Sequence, residues 1–111
     1  MNKKDFAIIE HAKRLLIEKG WTQGAYAQDI DGKDGFDDEG LAFFEKATRF
    51  CLVGALMCAG NCYSSSSTLD NIINRIQQDT DRDIFDWNDA SDRKKEDVIA
   101  LLDKLLKEGV V

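Results

Sequence analysis

Phe50-Cys51-Leu52-Val53-Gly54-Ala55-Leu56-Met57-Cys58-Ala59 is apolar on every side. A helix with that pattern has no face to offer water, so other elements must enclose it. The pattern predicts a central helix over about residues 46–59. Gly54 costs about 1 kcal/mol against alanine inside a helix, and its presence there implies that another helix or a loop comes close.

On the C-terminal side, Leu69, Ile72, Ile73 and Ile76 recur at helical spacing, with Asn71, Asn74, Arg75 and Gln78 on the opposite face. This predicts an amphipathic helix that starts in the serine run, with Ser67 and Asp70 as an acidic version of the capping box. A last helix over about residues 94–107 carries Val98, Leu101, Leu102 and Leu105, widened by Ile99 and Leu106, with Asp103 and Lys107 as an i,i+4 pair. Upstream, Ile8, Ile9, Ala12, Leu15 and Leu16 mark a first helix over about residues 5–19, with a Glu10–Arg14 pair. Asn2 or Asp5 is its expected cap, and Gly20 its left-handed terminator. Between the first helix and the central one, Asp31-Gly32 and Asp34-Gly35 follow Trp21 and Tyr26, which reads as a short hairpin or ordered loop over residues 21–38. The fold expected is α+β, mainly α: about four helices around the apolar helix at 50–59, in one domain over residues 1–111.

With 111 residues, 43% hydrophobic and 32% charged, the chain fits one globular domain and neither a fibre nor a disordered tail. Fifteen basic against 21 acidic side chains give a net charge of −6, which argues against direct nucleic-acid binding. Residues 50–69 are uncharged, but Asn61, the four serines and Thr68 make their second half too polar for a membrane span. The basic start, Lys3 and Lys4, leads into no apolar signal segment. Three cysteines, an odd number, suit a reducing compartment, so a cytoplasmic protein is expected.

Three blocks carry a resemblance. They are Gly20-Trp21-Thr22-Gln23-Gly24-Ala25-Tyr26-Ala27, then Cys51-Leu52-Val53-Gly54-Ala55-Leu56, then Trp87-Asn88-Asp89. In this order the chain resembles a family of small bacterial and phage proteins catalogued as a domain of unknown function. The family pattern has Trp before the cysteine and Thr at the last helix's cap, where this chain has Phe50 and Lys94. Capping of the last helix is therefore expected from Ser91 or Asp92. The resemblance brings no activity with it. Its frequency in phage genomes implies an accessory or counter-defence role.

The catalytic arrangement that these residue types allow joins Cys51, His11 and Asn88 or Asp89. A cysteine at a helix start gains thiolate character, an imidazole can share its proton, and an amide or carboxylate can orient that imidazole. The competing reading packs Cys51 as a small apolar residue inside its run. Cys51, Cys58, Cys62 and His11 are nominal zinc ligands but lack a C-x-x-C knuckle, so no metal is expected. The segments starting at Asp29 and Asp79 mimic a calcium loop, yet Asp34 and Ile84 stand where its glycine belongs and Ala90 replaces the closing glutamate of the second. No cofactor is expected either.

Two stretches concentrate the acid. Residues 29–39 hold six acids and one lysine, and residues 79–92 hold six acids and one arginine. If they share a side of the molecule, their field steers a basic partner, such as a nucleic-acid-binding protein; the bland alternative is a solvated surface. The leading expectation is a non-enzymatic interaction protein that binds a basic surface through Asp31, Asp34, Asp37, Asp38, Asp81 and Asp83. Trp21, Gln23, Tyr26 and Trp87 are candidates for recognition from loops, although Trp87 also suits packing as a staple, with Asn88 and Asp89 bonding to nearby turn amides. The alternative function is a small cysteine-dependent hydrolase or transferase using Cys51 and His11. The chain is expected to be a monomer or weak homodimer, with Ile72, Ile76 or Leu106 as pairing residues.

Overall fold

Burial of the central segment organises everything around it. In the computed structural model, which describes residues 3–31, 47–60 and 67–108, the elements are α1 (Lys3–Glu18), β1 (Ala27–Gln28), β2 (Arg49–Phe50), α2 (Leu52–Ala59), α3 (Ser67–Thr80), α4 (Ile84–Asn88) and α5 (Lys95–Glu108). The architecture is mainly helical, with a two-stranded antiparallel sheet. In α2, Leu52 through Met57 are all buried. Ile9, Ala12 and Leu16 of α1 pack on α2 and on α5, whose Val98, Leu101, Leu102 and Leu105 turn inward. Leu69, Ile72 and Ile76 of α3 complete the core. Ile72 and Ile76 are fully buried, which removes them as pairing residues, and Leu106 packs partly against the same core.

The central helix starts later than its apolar run. Arg49 and Phe50 are a strand and Cys51 is the cap, because Phe50 is bonded on both sides by the loop that follows α1. Its amide donates to the Gly20 carbonyl and its carbonyl accepts from the Thr22 amide, both at 2.9 Å. On the other side Ala27 pairs with Phe50 and Gln28 with Arg49. Apolar character alone does not separate a buried strand from a buried helix, so periodicity could not see this boundary. The sheet therefore joins the loop to the start of the central segment rather than closing a hairpin within residues 21–38; of that stretch, residues 32–38 lie outside the described residues.

Gly54 is where the predicted close approach occurs. A Cβ there would stand 1.9 Å from the Tyr26 carbonyl oxygen, so only glycine lets the loop lie on α2. Gly20 follows α1 with φ +152°, a backbone region that favours glycine, and a Cβ there would meet Arg49 Cγ at 3.0 Å.

Other helix ends correct the sequence reading. Lys3 opens α1, so Asp5 sits buried inside its first turn instead of capping it; Asn2 lies outside the described residues. Ser67 is the first residue of α3, so it stands inside the helix rather than capping it. The cap of α5 comes from neither Ser91 nor Asp92: Asp97 Oδ2 reaches back to accept from the Lys94 amide at 2.9 Å. Asp103 pairs with Lys13 of α1, while Glu10 and Arg14 stand 3.8 Å apart as their spacing predicts. The short helix α4 is an addition. Asp83 Oδ1 caps it, accepting from Phe85 N at 2.9 Å and Asp86 N at 3.2 Å.

Candidate functional site

The site grows from the contact between the loop after α1 and the segment of α4. Ile84, Trp87 and Asn88, at i, i+3 and i+4, form the buried face of α4. Asn88 then binds three parts of the chain at once. Its Oδ1 accepts from the Trp21 indole at 2.8 Å and from the Leu52 amide at 3.0 Å, while its Nδ2 donates to the Thr22 carbonyl at 3.2 Å and to Asp89 Oδ1 at 2.9 Å. Gln23 Nε2 donates to the carbonyls of Asn88 at 2.9 Å and Ala90 at 2.8 Å. Asp89 Oδ1 also accepts from Gly24 N at 3.1 Å. The amides bonded by Asn88 and Asp89 are thus distant in sequence, rather than the nearby turn amides that local reading predicts.

Beside this junction opens a pocket of about 310 Å³, lined by Gly24, Ala25, Tyr26, Cys51, Phe85 and Asp89. Tyr26 and Phe85 meet edge to face, with centroids 5.7 Å apart and planes at 87°. Both remain accessible, at 39% and 42%. Cys51 is 4% exposed, and its Sγ accepts from the Gly54 amide at 3.3 Å. Burial pushes this thiol up to about 11, and the Asp89 carboxylate adds to the rise, against the opposing bonds from Gly54 and Val53 amides. Cys58 is also raised by burial, with Lys19 opposing.

The sequence candidates separate on this geometry. Cys51 and Asp89 share the pocket, but His11 lies on the exposed face of α1 and is absent from the lining. Asn88 spends its amide on the junction, not on an imidazole. Trp21 and Gln23 are likewise held by internal bonds. Trp87 is buried beneath the Arg93 guanidinium, which stands 3.9 Å from its ring centroid, and belongs to the same core as the inward face of α5. Of the four loop candidates only Tyr26 lines the pocket. Phe85 was missed, yet a signal existed: it falls off the Ile84–Trp87–Asn88 face and stands among Asp83 and Asp86.

Asp31, Asp81 and Asp83 are exposed, whereas Asp34, Asp37 and Asp38 lie outside the described residues. Asp81 adopts φ 54° and Asp83 is committed to its cap. The calcium-like spacing at 79–83 is dispersed, since Asp79 pairs with Arg75 at 3.3 Å. Among the described residues, no three His, Cys, Asp or Glu side chains group as a metal site, and no helix is long and apolar enough to cross a membrane. Neither a curated protein nor a solved structure matches the chain. Residues 2–108 match the model of the Family of unknown function (DUF6197), and the chain belongs to that family.

Proposed function

We propose that the chain is a non-enzymatic acidic interaction protein of the cytoplasm that binds a basic surface of a host protein or nucleoprotein complex. An accessory or counter-defence role for a phage or mobile element fits the phage association that the sequence resemblance implies. The observation that carries the reading is the accessible Tyr26–Phe85 pair beside a pocket that contains Asp89. Accessible aromatic rings next to a carboxylate supply apolar area and charge together, the combination that anchors interfaces. Tyr26 lies three residues from Asp29 and Phe85 two from Asp83, so the ring contact joins the segments next to the two acidic stretches.

The alternative, a small cysteine-dependent hydrolase or transferase, has Cys51 in the pocket lining in its favour. Against it stand a thiol pushed to about 11 and the exposed position of His11 on α1. Raising a thiol removes the thiolate that such chemistry uses.

The deciding experiment captures partners from bacterial lysate at low and high salt, with wild type beside a Tyr26→Ala/Phe85→Ala variant shown to be folded by circular dichroism. The expected result is a stoichiometric basic partner that high salt releases and the variant fails to retain. No partner, or one indifferent to both salt and rings, overturns the proposal.

A further inference from the structure

We infer that the Tyr26–Phe85–Asp89 pocket receives one arginine side chain of the basic partner; this rests on the interaction reading above. Among the described residues of the lining, Asp89 is the one that carries a formal charge. An anion has little to attract it, although α2 begins at the pocket. The Leu52 amide is taken by Asn88 Oδ1, the Gly54 amide by Cys51 Sγ, and the Ala55 amide by the Cys51 carbonyl. Three of the first four donors that would hold an anion at this helix start are therefore engaged from within.

Asp89 is divided in a way that suits a cation. Its Oδ1 accepts from the Gly24 amide at 3.1 Å and Asn88 Nδ2 at 2.9 Å, which orients the carboxylate. Its Oδ2 makes no hydrogen bond among the described residues and is left for an incoming donor. The rings of Tyr26 and Phe85 form the adjoining wall. A planar, weakly hydrated guanidinium stacks on aromatic rings while bonding a carboxylate, whereas a compact ammonium holds its water more strongly. The chain already makes one such contact internally, with Arg93 over Trp87.

The test titrates ¹⁵N-labelled protein with capped Gly-Xaa-Gly tripeptides, where Xaa is arginine, lysine or citrulline, the neutral isostere of arginine. Arginine is expected to bind about fivefold more tightly than lysine, with amide shifts centred on Gly24–Tyr26 and Phe85–Asp89 and little response to citrulline. Asp89→Asn keeps Oδ1 as an acceptor and should erase the preference for arginine over citrulline. Phe85→Leu should bring arginine down to the level of lysine. Equal binding of arginine and citrulline, or shifts centred elsewhere, overturns the assignment. If the tripeptides fail while the lysate experiment yields a partner lost with salt and with the rings, the arginine pocket falls and the interaction reading stands. If arginine binds as expected and no partner is captured, the pocket stands and the protein-partner reading falls.

Discussion

The indole of Trp21 donates to Asn88 Oδ1 at 2.8 Å across 67 residues of chain. The same oxygen holds the Leu52 amide at the start of α2, so one buried carboxamide joins the loop, the central helix and α4. Unpaired buried donors cost about 1–3 kcal/mol each. Asn88→Ala leaves the buried Leu52 amide and the half-buried Trp21 indole without this acceptor and should lower the unfolding free energy by about 3 kcal/mol, measured by urea denaturation. A loss under about 1 kcal/mol would show that water replaces the carboxamide.

Gly54→Ala tests the contact between the loop and α2. An overpacking cost of about 3 kcal/mol exceeds the gain of about 1 kcal/mol that alanine brings to a helix. The variant should lose about 2 kcal/mol, or about 10 °C of melting temperature. A melting temperature at or above that of wild type would mean that Tyr26 can move away.

Asp83 combines a structural duty with a proposed electrostatic one. Asp83→Ala removes the cap of α4 and should cost about 1 kcal/mol. Asp83→Asn retains a capping oxygen and should leave the melting temperature near wild type while weakening partner retention at low salt. Equal retention by wild type and Asp83→Asn would take Asp83 out of the binding surface.

Cys51 predicts a pH dependence of stability. Its folded-state value lies near 11 against an ordinary 9.0. Between those values the folded state binds more protons than the unfolded one, so stability is complete below pH 9 and falls as the pH rises towards 11. The contribution lost is about 2–3 kcal/mol, read as a steeper decline for wild type than for Cys51→Ala in urea midpoints from pH 8 to 11. Parallel declines would refute it.

The same thiol predicts slow chemistry in the native state. At pH 8, iodoacetamide should alkylate Cys51 at least about tenfold more slowly than in urea, since a scarcer thiolate outweighs its greater nucleophilicity. Fast labelling that His11→Ala slows would restore the enzymatic alternative.

The sequence by itself determined the four longer helices and their inward faces, but not the short α4. Leu69, Ile72 and Ile76, or Val98, Leu101, Leu102 and Leu105, are read at a period set by local backbone geometry. It also marked Gly54, because a glycine in an apolar helix signals a close neighbour. Tertiary structure decided the strand at Arg49–Phe50, whose hydrogen-bond partners lie more than twenty residues upstream and leave no periodic trace. It decided the pocket for the same reason. Tyr26, Cys51, Phe85 and Asp89 come from three separated segments that meet only when Asn88 accepts from the Leu52 amide of one and donates to the Thr22 carbonyl of another. Periodicity reports which side of an element avoids water. Which distant donor a buried carboxamide accepts from is settled by packing.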